Sequence, residues 1–194
     1  MAAATLVEGS GGYCLSHTFE LCPDFSLKAY FFANVTNGGS LVGDMRKQDM
    51  VVFINLDLLA GPFTLLSAAN KAVVSHVDGT RKTFSLGTEC LYNLSPSKSI
   101  DKAMKVFGPN EDTKNLAAVV FLDHRLQKPK ESDDASSVLF AVQGTPMTVE
   151  EAFPEKDEGK QAALQGMYKV SDAHVQLKCL DDAVATIIMM RDVK

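Results

Sequence analysis

The sequence predicts a single α+β domain: a small, mostly antiparallel sheet of about four strands packed with several helices and closed by a C-terminal helix. Three observations predict it. The chain has 194 residues, close to one domain, and is 46% hydrophobic, enough to bury a core without staples. Short apolar runs bounded by Pro, Gly and Asn turns occur near the start and again after the middle. Apolar residues at three- and four-residue spacing fill the stretch between them and the C-terminus.

Residues 1–12 are rich in Ala and Gly and read as a flexible tail, leaving 13–194 as the domain. YCLSHTFEL and SLKAYFFANV read as two neighbouring strands turned at Cys22-Pro23-Asp24, with Leu27, Ala29, Phe31 and Ala33 alternating with Lys28, Tyr30 and Phe32. Asn37-Gly38-Gly39-Ser40 is a turn that opens a short helix over 40–48, with Leu41 and Met45 one turn apart. Residues 49–59, DMVVFINLDLL, fit either a strand or a helix. Gly61-Pro62 starts a helix, because proline suits the first helical position. Phe63, Leu66, Ala69, Val73 and Val77 form its apolar stripe, Ser67, Asn70 and Lys71 lie opposite, and Asp78-Gly79 ends it.

Leu86, Cys90 and Leu94 are spaced as a helical stripe, broken at Ser95-Pro96. Ser99 then caps a helix carrying Ala103, Met104 and Phe107, stopped by Gly108-Pro109. Residues 116–122 (LAAVVFL) form a buried strand, 127–137 a polar loop, and 138–143 (VLFAVQ) a further strand left through Gly144-Thr145-Pro146. Residues 150–159 are an acidic surface stretch. The last helix begins near Ser171 or Asp172, with Leu177, Leu180, Val184, Ile187 and Ile188 on one face and Cys179, Ala183, Met189 and Met190 on the other.

The net charge of -5 argues against a protein that coats nucleic acid, which needs many neutralised phosphates. The charge is unevenly spread. Residues 71–130 carry ten basic against six acidic residues, and residues 131–158 eight acidic against one basic. The start has no basic n-region and no long apolar segment, so a secretory signal is not expected. The longest apolar run, 183–190, is far too short for a bilayer. The expected setting is intracellular, with reduced thiols and no membrane association.

Motifs for phosphate loops, dinucleotide turns, zinc proteases and serine hydrolases are absent from the sequence. Cys14-x2-His17-x4-Cys22 offers at most three ligands on a strand pair that would not converge them, so neither a metal nor another cofactor is expected. Two features remain. The terminal helix is apolar around most of its circumference, so one side is either buried or kept for a partner. Its candidate partner-binding residues are Leu180, Val184, Ile187, Ile188 and Arg191. Lys71, Arg81, Lys82, Lys98, Lys102 and Lys105 make a mildly basic set beside Asn70 and Tyr92, for which a solvated helix face is the competing reading.

The segment SAANKAV at 67–73, followed from Lys82 by KTFSLGTECLYNLSPSKSIDKAMKVFGP, resembles the PRPK-binding protein family, the small regulatory subunit of the KEOPS complex. The matching positions are Thr88-Glu89, Asn93-Leu94-Ser95-Pro96 and Ile100, Ala103, Phe107, Gly108. Weaker likeness reaches the opening strands and the ending, at Tyr168-Lys169, Asp182-Ala183 and Asp192-Val193. The resemblance implies a non-enzymatic subunit of cytoplasm and nucleus. It implies direct binding to the N-lobe of the atypical kinase PRPK and, through it, indirect contact with the threonylcarbamoyl-transferase subunit. The complex makes threonylcarbamoyl adenosine in tRNA, and some members hold the tRNA 3' CCA end. By residue type and position within the matched segment, Asn70, Lys71, Arg81 and Lys82 are the candidate RNA contacts. The competing class is a small standalone cytosolic enzyme with an unrecognised site, using Cys90 or His124.

Overall fold

The structure is a computed structural model that describes residues 13–45, 48–126, 141–154, 157–171, 175 and 179–192. The expected tail at 1–12, the loop at 127–137, the first part of the strand at 138–143 and Leu177 lie outside them. The architecture is the expected α+β domain, with an antiparallel sheet of five strands where about four were expected.

Strands β1 (Cys14–Phe19) and β2 (Cys22–Ala33) form a hairpin. The turn is Glu20-Leu21, not the Cys22-Pro23-Asp24 expected. Phe19 pairs with Cys22, and a register shift at Thr18/Phe19 absorbs the misfit, so Pro23 sits inside β2 near its start. Phe25, Leu27, Ala29 and Phe31 point inward from β2 at period two. Helix α1 (Gly38–Met45) buries Leu41 and Met45 as their spacing predicts. The ambiguous stretch at 49–59 resolves into strand β3 (Val51–Asn55) and a 3-10 turn (Leu56–Leu58) that Asn55 caps by accepting from the Asp57 amide. Four of the five residues of β3 are buried in a row, the pattern of a strand covered on both faces, which period alone cannot distinguish from a buried helix.

Helices α2 (Pro62–Val77), α3 (Leu86–Leu94) and α4 (Ile100–Phe107) follow, then strand β4 (Leu116–Asp123). The strand order is β1-β2-β4-β3. β4 pairs Leu27 with Phe121 and Ala29 with Val119 on one side, and Val52 with Val119 on the other. The expected strand over 138–143 is not seen at its described residues. Instead Thr145–Met147 forms β5, pairing with Phe31, Phe32 and Ala33 of β2. Because β4 takes the other side of β2 there, Pro146 lies on an outer strand, where a missing donor is tolerated.

The chain ends with α5 (Val149–Ala152), α6 (Glu158–Tyr168) and α7 (Leu180–Met190). Helix α6 carries little apolar signal in the sequence, since it buries only Leu164 and Tyr168. Of the helix expected from near Ser171 or Asp172, residues 172–174 and 176–178 lie outside the described residues; Val175 is helical, its amide bonded to the Ser171 carbonyl at 3.3 Å, and α7 follows extended Cys179 (ψ 157). One core runs from Leu15 to Ile188.

Helix α3 is buried at all nine positions, with contacts to α2, α4, β3 and β4. Ser85 and Thr88 close a capping box at its start. It lies against β3 so closely that a Cβ on Gly87 would be 2.3 Å from the Val51 carbonyl oxygen. Helix α2 departs from its expected stripe. Leu66, Ala69 and Val73 of that stripe are buried, but Phe63 and Val77 are exposed, Leu65, Ala68 and Ala72 join the core side, and Ser67, expected opposite, is buried as well. Three alanines, Ala68, Ala69 and Ala72, let neighbouring elements approach closely beside the equally buried Leu65 and Val73.

Candidate functional site

Helix α7 lies beside α2 and runs the same way. At one end Asp181, in the first turn of α7, accepts from the Phe63 and Thr64 amides at 2.9 and 2.6 Å. At the other end Lys71, two turns along α2, donates to the Ile188 carbonyl at 3.0 Å. The N-cap of α2 is Gly61, which has no side chain to offer, so α7 supplies the cap. A Cβ at Gly61 would come within 2.2 Å of Asp181 Oδ2, so only glycine allows this approach. Burial raises the Asp181 carboxyl above the ordinary value, opposed by the hydrogen bonds from Thr64 and Phe63.

This packing decides the fate of the expected partner-binding residues. Leu180, Val184 and Ile188 are buried in the chain's own core, and Ile187 packs against it. Arg191 is also engaged. Its guanidinium donates to the carbonyls of Tyr92 (2.5 Å) and Ser95 (2.7 Å) and to Asn93 Oδ1 (3.2 Å), stacked 4.3 Å from the Tyr92 ring centroid. It thereby satisfies carbonyls at the end of α3, where helix termini leave acceptors unpaired. The Tyr168 hydroxyl does the same for Leu94. These five residues help fasten α7, Ile187 being only partly buried; at the same end Met189 and Met190 are 43% and 58% exposed. A heavily buried i, i+4 stripe and an apolar end were both visible in the sequence, but not which of them faced inward.

The expected RNA contacts are divided. Lys71 Nζ lies 2.7 Å from Asp192 Oδ2 and Lys82 Nζ lies 3.2 Å from Asp192 Oδ1, so the two lysines meet at one carboxylate. Lys82 also stands over the Tyr92 ring at 5.3 Å. Burial alone would lower the Lys82 pKa, but bonding to Asp192 and Tyr92 outweighs it and the value rises. The Asp192 carboxyl is held well below the usual carboxylate range, chiefly by its hydrogen bond from Lys71. Arg81 turns elsewhere, to Asp49 Oδ1 at 3.2 Å, and the same Asp49 oxygen accepts from the Leu86 amide. Asn70 opens onto a cleft of about 380 Å³ lined also by His17, Leu21, Phe63 and Ser67. The residues that arrange the basic set, Asp49, Glu89 and Asp192, had no sequence signal as a group. Buried Glu89 is the least expected of them: it accepts from the Lys82 and Thr83 amides at 3.0 and 2.9 Å and so fixes the loop that carries Lys82.

The groups considered for catalysis do not assemble. Cys90 is fully buried and burial pushes its thiol pKa up to about 12, so the nucleophilic thiolate is scarce at neutral pH. Both Asp123 oxygens are held by Arg125, at 2.8 and 2.6 Å, while His124 Nε2 bonds Ser26 Oγ at 2.8 Å. The aspartate therefore orients an arginine, not the neighbouring imidazole. Cys14 and Cys22 stand at opposite ends of the β1–β2 pairing, and all four cysteines are free. Among the described residues no group of three or more His, Cys, Asp or Glu is placed to hold a metal ion. Among them, too, no helix is long and apolar enough to cross a membrane.

Comparison with known proteins gives this arrangement a context. A family model described as kinase binding protein CGI-121 matches residues 32–192. The EKC/KEOPS complex subunit TPRKB of Danio rerio is 28% identical over 184 residues, 92% of this chain and 98% of that protein. The EKC/KEOPS complex subunit CGI121 of Yarrowia lipolytica is 29% identical over 99 residues, half of this chain and 59% of the relative. That of Debaryomyces hansenii is 36% identical over 70 residues, 36% of each. The family match takes in every element from the last strand turns of β2 to the end of α7, and the chain belongs to the CGI-121 family of kinase-binding proteins.

Proposed function

We propose that the chain is a non-catalytic subunit of an EKC/KEOPS assembly that docks the atypical kinase PRPK through the outer side of α7 and regulates it. The observation that carries the reading is the exposed Met189-Met190 pair at the end of a helix whose other face is core, in a chain of a kinase-binding family. Flexible, polarisable methionines suit a docking surface. Lys82, paired with Asp192 two residues beyond Met190, gives the patch a charged border. Contact with the threonylcarbamoyl-transferase subunit is indirect, through the kinase. The setting is cytoplasm and nucleus, and the assembly's product is threonylcarbamoyl adenosine in tRNA.

The test is co-purification with the kinase. Met189→Glu and Met190→Glu place a charge on the outer surface without disturbing the core, and a desolvated charge at an interface costs several kcal/mol. Loss of the kinase, and with it the transferase subunit, is expected. Normal recovery by both folded variants would overturn the docking surface.

We further infer that the lysines at the end of α7 hold the single-stranded 3' end of tRNA. Support comes from the convergence of Lys71 and Lys82 from separate elements and from the cleft at Asn70, which offers an amide edge beside the exposed Phe63 ring. With two to four phosphates engaged, the salt slope is about -1.4 to -2.8. Binding of tRNA with and without CCA, by wild type and by Lys71→Glu with Arg81→Glu, tests it. Equal binding in either comparison would sink the assignment.

A further inference from the structure

Lys71 and Lys82 come from different elements, yet their ammonium groups grip the two oxygens of one carboxylate. Neither depends on that carboxylate for its place. Lys71 projects from the middle of α2 and is held by the Ile188 carbonyl. Lys82 sits on a loop fixed by buried Glu89 and stands over Tyr92. Behind them the Arg191 guanidinium is locked against α3, with one nitrogen 3.5 Å from Asp192 Oδ2. Three cations thus face a single acid. The spot is open to solvent, since the Lys82 and Asp192 side chains are 50% and 29% exposed.

A carboxylate and a phosphate present the same feature to such a pair: two anionic oxygens on one atom, each able to accept from an ammonium. A phosphodiester carries the same charge as the carboxylate, and a terminal phosphate or pyrophosphate brings a further oxygen and more charge. We infer that Asp192 is an internal stand-in for a phosphate, occupying an anion site made by Lys71 and Lys82, and that its displacement opens this site to a phosphate of an RNA end. The inference rests on the RNA reading above and adds to it a built-in competitor. It also explains how two lysines in a net acidic chain avoid indiscriminate polyanions: the site charges its own occupant against every weak ligand. Because Asp192 follows Met190 by two residues, a partner that grips the end of α7 acts on the competitor directly.

The experiment compares wild type, Asp192→Asn, and Asp192→Asn combined with Lys71→Gln and Lys82→Gln. Two probes are used: inorganic pyrophosphate, followed by NMR of the lysine ammonium groups, and a short single-stranded RNA ending in CCA, followed by fluorescence anisotropy across a salt series. Asp192→Asn is expected to bind both probes about tenfold more tightly than wild type. Its salt slope for the RNA steepens by about 0.7, one more phosphate neutralised. The triple variant loses the gain. Pyrophosphate binding by Asp192→Asn no tighter than wild type overturns the inference. Tighter pyrophosphate binding with no RNA binding by either protein leaves the competitor in place and removes the RNA reading. Circular dichroism melts secure the comparison, and Asp192→Ser, which also removes the charge, reports the same change should the amide perturb the helix end.

Discussion

Replacing Asp181 by Ala should loosen the junction that sets α7 parallel to α2. The carboxylate is the cap of α2, accepting from Phe63 and Thr64 at 2.9 and 2.6 Å across 117 or more residues of chain. Gly61 cannot substitute for it, and Thr64 is completely buried, so water does not reach the freed Thr64 amide. Loss of a helix cap costs about 0.5–2 kcal/mol, and a buried donor left unpaired about 1–3 kcal/mol. Against this stands relief of a buried carboxylate, whose raised pKa marks its cost. The balance is a loss of about 2–3 kcal/mol, or about 4–12 °C in Tm for a chain of this size. Asp181→Asn keeps one acceptor oxygen and should lose about half as much. Urea and thermal unfolding of the three proteins measure both. A midpoint for Asp181→Ala within about 0.5 kcal/mol of wild type would refute the argument that α7 caps α2.

Arg191→Ala should destabilise by about 3 kcal/mol in urea unfolding, since it strips buried carbonyls of a charged donor, and Arg191→Lys should recover less than half because an ammonium cannot span the forked set of acceptors. Asp192 should contribute to acid sensitivity. Its folded pKa lies below the unfolded value of about 3.9, so its contribution is present above that pH and is lost as the pH falls toward the folded value; Asp192→Asn should flatten the stability curve below about pH 4. Cys90 should resist a thiol reagent at neutral pH until the chain unfolds, whereas exposed Cys179 reacts in the native state, as intact-mass spectrometry of the labelled protein would read out.

Much of the fold was legible because its signals are local. Ser99 announces one helix, the Leu86, Cys90, Leu94 spacing marks another, Gly61-Pro62 opens a third, and the run at 116–122 is apolar without interruption, as a strand covered on both faces must be. The misreadings arose where tertiary contact overrides a local cue. Pro23 looked like a turn because proline usually is one, but its position near the start of β2 demands no donor. Phe63 looked like core because it is large, whereas helix approach selected alanines. In the candidate site the sequence counted charges and could not count pairs. The excess of positive charge over residues 71–130 is partly cancelled by Asp49 and Asp192, both outside that window.

The terminal helix shows why an element apolar all round need not be a binding surface all round. Its inner residues, Leu180, Val184 and Ile188, complete the core, and Arg191 and Asp181 pin its two ends to α3 and α2. What remains exposed includes Met189 and Met190, at the end of a helix whose inner side is packed. The same fastening places Asp192 between two lysines immediately beyond that patch. The proposed docking surface and the proposed anion site therefore share one helix end, with Met190 and Asp192 two residues apart.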